Sequence, residues 1–209
     1  MRGVMLYGPH DARVEERPDP RIIEPTDAII RLPATCVCGS DLWPYRGADP
    51  VIQPMPMGHE YVGIVEEVGS EVKNIKPGQF VVGSFFASDN TCPICQAGYQ
   101  SRCVHAVPMG SIGTQAQFAR IPLADGTLVA TPDIPSDDLL PSLLAAADVL
   151  GTGWFAAAVR RFLPELINLI WNRKINPGRV FDLELPLEQA AEGYRAMDER
   201  RAIKTLLRP

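Results

Sequence analysis

The amino-acid sequence predicts a mainly β, α+β fold in which helices flank a barrel-like β core. Short apolar stretches bounded by turn residues recur over residues 1–121, and this spacing is typical of an antiparallel β protein. Proline accounts for 20 of the 209 residues, about twice the usual share, and this disfavours a helix bundle. Helical periodicity is concentrated in the C-terminal part of the chain.

The predicted strands alternate apolar and polar residues or are rich in β-branched residues. The segments expected to form strands are 1–7, 28–32, 58–69, 80–82 and 117–121. Ser136, followed by Asp137 and Asp138, is typical of an N-terminal cap with acidic residues in the first helical turn. It predicts a helix over 139–147. The chain is then expected to close with helices over 159–171 and 187–197 and a strand over 202–207.

Composition and charge exclude several classes of protein. Hydrophobic residues make up 46% of the chain and charged residues 22%, which is ordinary for a folded domain and excludes disorder as the main interpretation. The formal net charge of -5 disfavours binding to nucleic acid. No apolar run is long enough to cross a membrane and no signal peptide is evident, so we expect a cytoplasmic protein without a membrane partner.

The cysteines indicate metal binding rather than disulfides, because their number is odd and two clusters are evident. Cys92, Cys95 and Cys103 form a C-x2-C-x7-C pattern in a loop that has no apolar periodicity. A tetrahedral zinc ion would give this lobe, residues 89–103, a core, with Asp89 as the fourth ligand. A carboxylate is the harder and rarer ligand in such sites. The alternative is a reduced, metal-free loop with buried thiols.

A second group of candidate ligands comes from distant segments. Cys38, His59 and Asp148 are residue types that form a catalytic zinc site with one open position, and Glu60 is a possible fourth or exchangeable ligand. Asp41 is a candidate to orient the His59 ring. Ser40 is a candidate to pass a proton to or from the reacting oxygen. The alternative is that these residues never meet and serve as a packed cysteine, a hydrogen-bonded histidine and a helix-end acid.

Five stretches, taken together, resemble the zinc-dependent medium-chain alcohol dehydrogenases in order and spacing. They are CGSDLWPYRG (38–47), GHEYVGIVEEVG (58–69), KPGQFV (76–81), the lobe over 89–103 and DVLGTGW (148–154). Segment 185–209 is similar to the closing helix and strand of that family. The resemblance covers nearly the whole chain and implies a GroES-like, partly open β-barrel with flanking helices.

The resemblance also implies a site and a reaction. It implies a catalytic zinc on Cys38, His59 and Asp148 with Glu60 adjacent, and a proton relay through Ser40. Thr152 would lie near the nicotinamide of NAD(P), and a small alcohol would be converted to a carbonyl compound by zinc-alkoxide formation and hydride transfer. The structural zinc of the family is usually held by four cysteines, and here Asp89 stands at the first position.

The Rossmann domain that family members carry is expected to be absent at the 158/159 junction, because no alternating strand and helix block follows residue 158. The segment GTGWFA (151–156) matches G-x-G-x-x-A but lacks a preceding strand. We therefore expect a GroES-like catalytic domain over 1–158, completed by 159–209, with weak or absent cofactor binding and turnover. Two alternatives remain, a catalytically silent zinc-binding or oligomerisation module and a cofactor-free zinc Lewis-acid catalyst.

The missing domain has a consequence for association. The face that would have met it is expected to expose apolar side chains, for which Leu150, Trp154 and Phe155 are the candidates. Exposed apolar patches usually bind a partner, so we expect a homo-oligomer.

Overall fold

One large mixed sheet organises the structure, a computed structural model that describes residues 1–109, 112–157 and 163–209, without the side chains of 154–157. The strands of these residues are β1 (Arg2–Leu6), β2 (Ala12–Glu16), β3 (Ala28–Cys36), β4 (Met55–Pro56), β5 (Tyr61–Val68), β6 (Phe80–Gly83), β7 (Phe86–Ala87), β8 (Val107–Pro108), β9 (Phe118–Ile121), β10 (Leu128–Ala130), β11 (Leu183–Pro186) and β12 (Thr205–Arg208). The helices are α1 (Leu42–Tyr45), α2 (Pro93–Gln96), α3 (Ala124–Thr127), α4 (Leu140–Ala146), α5 (Val149–Ala157), α6 (Leu163–Trp171) and α7 (Ala190–Asp198).

The large sheet has the strand order β10-β6-β5-β3-β12-β11, and β9 also pairs with β3. Its pairs are antiparallel except β11 and β12, which are parallel and joined through α7. Beside it lie a small sheet of order β2-β1-β4 and the β7-β8 pair. In the described part of the chain the sheets do not close into a barrel, and the prediction of a mainly β, α+β fold is confirmed.

Strand β3 is the centre of this arrangement because it has different partners along its length. One edge pairs with β5, while the other pairs with β9 over residues 28–31 and then with β12 at Thr35 and Cys36. Pro33 lies between these two halves and has no amide to donate to a strand ladder. The register with β5 shifts at this point, between Arg31 and Ala34. The C-terminal strand β12 therefore occupies the edge that β9 leaves free.

Apolar packing on both sides of the sheet holds these elements in place. On one side, α4 and α6 bury Leu143, Leu144, Ile167 and Ile170 against the sheet. On the other, α7 buries Tyr194 against Tyr45 and β1. Tyr194 Oη also donates a hydrogen bond to Gln115 Oε1 at 2.8 Å, so this buried hydroxyl has a partner.

Several sequence-based expectations need correction. Strand β3 runs on to Cys36, beyond the expected end at residue 32, and the short strands β2, β4, β7, β8, β10 and β11 were not expected. The Ser136 hydroxyl donates to Asp138 Oδ1 at 2.5 Å instead of capping the helix. Of the helix expected over 159–171, α6 forms the part from Leu163, and residues 158–162 lie outside the described residues. Within the described part of the chain, no helix is long and apolar enough to cross a membrane.

Gly83 provides a test of this packing. A Cβ atom at Gly83 would lie 1.9 Å from Cε2 of Tyr61, a fully buried ring. We expect Gly83→Ala to lower the free energy of unfolding by about 1–3 kcal/mol, because the ring has no room to move. Gly8→Ala is the control, since nothing lies within 4 Å of a Cβ there, and its effect should stay within about 0.5 kcal/mol. Urea unfolding measures both, and equal effects would contradict the expectation.

Candidate metal centres

The structure brings four of the predicted site residues together in a cluster that we call the deep centre. Cys38, His59, Glu60 and Asp148 each offer one ligand atom, and these atoms all lie within 4.8 Å of one another. Asp148 Oδ2 lies 3.6 Å from Cys38 Sγ and 3.5 Å from His59 Nε2. All four side chains are largely shielded from solvent, as expected for a metal centre inside a cleft.

The meeting of these residues follows from the sheet. Strands β3 and β5 are antiparallel, and Thr35 lies opposite Tyr61. The residues that follow β3, towards Cys38, therefore lie at the same end of the strand pair as His59, which precedes β5. Helix α4 packs on this sheet, and the residues that follow it place Asp148 at that end.

Asp41 contacts both Cys38 and His59 of the deep centre. Its Oδ2 accepts hydrogen bonds from Cys38 N at 2.9 Å and from Gln115 Nε2 at 3.0 Å. Its Oδ1 lies 3.4 Å from His59 Nδ1, which is close enough for charge attraction but longer than an ordinary hydrogen bond. Burial alone would lower the pKa of His59, but Asp148 and Asp41 outweigh it and raise this pKa to about 12. Asp148 and Asp41 thus place negative charge on both sides of the ring.

Glu60 forms a buried ion pair with Lys204, which the sequence did not predict. Lys204 Nζ lies 2.6 Å from Glu60 Oε1, and both side chains are almost completely buried. Burial opposes the charge on Lys204, yet the acidic groups around it raise the pKa of Lys204 above its ordinary value. Glu60 Oε2 is buried without a hydrogen-bond partner. The available signal was a lysine next to the apolar closing strand β12.

Two hydroxyl groups border the deep centre. Ser40 is exposed to solvent, and its Oγ lies 3.5 Å from His59 Nε2. Thr152 lies one helical turn after Asp148, and its Oγ1 donates to Asp148 Oδ1 at 3.3 Å. Of the residues close to Cys38 in sequence, Cys36 is buried in the core, Tyr45 packs on Tyr194, and Trp43 is exposed.

The second cluster lies in the segment between β7 and β8, and we call it the lobe centre. The ligand atoms of Asp89, Cys92, Cys95 and Cys103 lie within 4.8 Å of one another, and the three cysteines are buried and free of disulfides. Cys92 precedes α2, and the amide of Cys95 points at its sulfur across 3.4 Å. Backbone amides, those of Val104 and Cys95 foremost, lower the pKa of Cys92 to about 7. This arrangement favours a thiolate, the form that binds metals.

His105 contacts the lobe centre through Asp89. Its ring is exposed, but Nδ1 lies 2.5 Å from Asp89 Oδ2. The contact lowers the pKa of the Asp89 carboxyl well below its usual range and raises the pKa of His105. Asp89 is thereby kept ionised, as a metal ligand must be.

Both centres fit a divalent cation by the chemistry of their donors. The deep centre combines a sulfur, an imidazole and two carboxylates, with Glu60 Oε2 buried and unpartnered. The lobe centre combines three sulfurs and one carboxylate. Sulfur, nitrogen and oxygen donors in groups of four are typical of zinc sites, and three protein ligands with an exchangeable fourth are typical of catalytic ones.

The Glu60–Lys204 pair can be tested by a mutation cycle. We expect Lys204→Met to lower the free energy of unfolding by about 3–5 kcal/mol, because it leaves a buried carboxylate without its cation. Glu60→Gln combined with Lys204→Met should recover part of this loss. Arg208→Met, four residues further along the chain, is the control, since its pair with Glu184 is partly exposed and should contribute less than about 1 kcal/mol. Urea unfolding after identical metal treatment checks all three, and no recovery in the double variant would contradict the pairing.

Comparisons with known proteins agree with this geometry. Residues 24–133 match the model of the alcohol dehydrogenase GroES-like domain. The chain is 40% identical over 173 residues to zinc-type alcohol dehydrogenase B of Aspergillus flavus, and 41% identical over 161 residues to a medium chain reductase/dehydrogenase of Acremonium sp.. These matches cover 80% and 75% of this chain, but only 40% and 54% of the two relatives, so the chain spans about half their length.

Solved structures show the same fold. An alcohol dehydrogenase from Thermus sp. ATN1 superposes with a TM-score of 0.88 at 20% identity, over 100% of this chain and 99% of that chain. Galactitol-1-phosphate dehydrogenase from Escherichia coli superposes with a TM-score of 0.77 at 16% identity, over 100% of both chains. With more than half of its residues matched by the family model, this chain belongs to the alcohol dehydrogenase GroES-like domain family.

Proposed function

We propose that this chain is the zinc-binding catalytic domain of an alcohol dehydrogenase-like oxidoreductase that interconverts an alcohol and an aldehyde or ketone. The observation that carries the proposal is the convergence of Cys38, His59 and Asp148 from three distant segments. Two of the similar proteins are named as zinc-type or medium-chain dehydrogenases, which is in line with it.

In this proposal, Cys38, His59 and Asp148 hold a catalytic zinc ion, with Glu60 as a fourth or exchangeable ligand. A structural zinc ion is held by Asp89, Cys92, Cys95 and Cys103, whose ligand atoms lie close together in the lobe. A zinc ion at the deep centre would act as a Lewis acid that favours loss of the proton from an alcohol.

Residues of the chain then orient the His59 ring and transfer the substrate proton. Asp41 faces His59 Nδ1 and helps to orient the ring. The exposed Ser40 hydroxyl lies beside His59 Nε2, so it is placed to pass the substrate proton to solvent. The buried Lys204 fixes one oxygen of Glu60 and leaves the other available to the deep centre.

We also propose that residues 1–158 and 159–209 build one domain, whose described residues form no site for a whole NAD(P) molecule. Strand β12 pairs directly with β3, in support of a single domain. Gly151 and Gly153 lie inside α5 and not in a turn between a strand and a helix, where a pyrophosphate binds. Thr152 is then a vestige of a cofactor-facing position, and turnover is weak or absent.

Self-association and location complete the proposal. We propose a homo-oligomer that covers the face of α5, where Leu150 is half-buried; the side chains of Trp154 and Phe155 lie outside the described part. Light scattering coupled to gel filtration checks the oligomer, and a monomer at all concentrations would overturn the proposed self-association.

The five free cysteines favour the cytoplasm as the location of the protein.

Metal analysis tests the two centres separately. We expect about two zinc ions per chain after purification in zinc, one for each four-residue centre. Cys38→Ser should remove one ion and Cys92→Ser the other, because each removes a buried thiolate ligand. Cys36→Ser is the control, since Cys36 belongs to neither cluster. Two ions retained in Cys38→Ser would contradict the assignment of the deep centre.

Cofactor titration tests the oxidoreductase part. We expect the fluorescence of reduced nicotinamide cofactor to show no saturation up to about 1 mM, and alcohol oxidation to be very weak. Saturable binding at micromolar cofactor would contradict the absence of a nucleotide site. Zinc binding together with ester hydrolysis or hydration that Cys38→Ser abolishes would instead favour a cofactor-free Lewis-acid catalyst, and zinc binding without any turnover would favour a silent module.

A further inference from the structure

The two carboxylate oxygens of Asp89 face different groups. Oδ1 is directed at the lobe centre, 3.3 Å from Cys103 Sγ, and accepts hydrogen bonds from the amides of Thr91 and Cys92 at 3.0 and 3.2 Å. Oδ2 contacts His105 Nδ1 at 2.5 Å. Because a carboxylate only accepts, the His105 nitrogen in this contact carries the hydrogen. Oδ1 thus faces the cysteines of the lobe centre, while Oδ2 is held by the His105 ring.

His105 is tied to the lobe at two points. Its backbone amide is directed at Cys103 Sγ across 3.4 Å, and its ring contacts Asp89. Among the described residues, the group of potential ligands in the lobe contains Asp89 and the three cysteines but not His105. The ring therefore acts on a ligand and is not itself a ligand.

We propose that His105 is a positioning residue of the lobe centre, whose ring N–H holds Asp89 so that Oδ1 serves as the fourth metal ligand. The inference rests on the structural metal proposed above. A carboxylate is a harder ligand than a thiolate and can turn to offer either oxygen or both, so an aspartate in a three-sulfur site needs an external constraint. Hydrogen bonds from residues outside the ligand set typically change metal affinity by about 10–100-fold.

Charge leads to the same conclusion. Three thiolates and a carboxylate around a divalent cation leave two negative charges in excess, in a lobe with little other structure. The His105 N–H, together with the amides of Asp89, Cys95 and His105 that point at the sulfurs, disperses this charge. Because the ring is the group that contacts Oδ2 among the described residues, its loss should weaken metal binding without removing a ligand.

The experiment compares zinc affinity of the full chain and its variants by competition with a chromogenic chelator. We expect His105→Ala to lower the affinity of the lobe centre by about 10–100-fold while the deep centre is unchanged. His105→Asn should restore it to within about threefold, because its amide nitrogen corresponds to Nδ1. His105→Gln, whose nitrogen corresponds to Nε2, should resemble His105→Ala. Unchanged affinity in His105→Ala, or rescue by Gln and not by Asn, would overturn the proposal.

A second cycle separates positioning from a merely structural role. In an Asp89→Cys background, the ligand is a thiolate that His105 does not need to orient, so His105→Ala should change the zinc affinity less than about threefold. An equally large loss in both backgrounds would overturn the proposal. Cobalt substitution gives an independent signature, since the lobe spectrum of His105→Ala should change and that of His105→Asn should not.

The same samples distinguish failure of this inference from failure of the proposed function. If Cys92→Ser leaves the zinc content unchanged, the lobe binds no metal, and both the lobe metal and the role of His105 are wrong. If Cys92→Ser removes one ion but His105→Ala has no effect, only the role of His105 is wrong. The zinc content lost in Cys38→Ser reports on the deep centre in either case.

Discussion

The antiparallel register of β3 and β5 is the constraint on which the deep centre depends. Thr35 lies opposite Tyr61, and the Thr35 hydroxyl also donates to the Glu60 carbonyl at 2.8 Å. This register places the loop that carries Cys38 beside the loop that carries His59. A slip of one residue would turn the side chains of a strand to the opposite face, so the ligands would separate although every residue were still present.

Charge balance links this centre to the end of the chain. Cys38, Asp41, Glu60 and Asp148 concentrate acidic groups in a place that solvent hardly reaches. Lys204 neutralises part of this charge. It directly precedes β12, and the pairing of β12 with β3 places it next to Glu60. The closing segment is therefore part of the site as well as of the sheet. An uncompensated carboxylate at this depth would cost several kcal/mol.

The lobe depends on a different kind of stabilisation. Its elements are short, with four residues in α2 and two each in β7 and β8, and its apolar cluster consists of three cysteines with one alanine packed against them. So small a core contributes little hydrophobic stabilisation. In the proposed zinc site, the order of this segment would come from the metal ligands, and an aspartate among them makes the groups that orient it more important than in a site of thiolates alone.

The sequence by itself determined the mainly β class, the longer strands and the spacing of the lobe cysteines, because these depend on local periodicity and turn residues. It also supplied the residue types of the deep centre, since Cys38, His59 and Asp148 were nameable from their motifs. Only the tertiary structure decided that they meet, and it alone revealed Lys204 and His105. A lysine or histidine at a segment end looks solvated in sequence, and its partner is fixed only by the fold. Lys204 meets Glu60 across 144 residues of chain, and His105 meets Asp89 across 16.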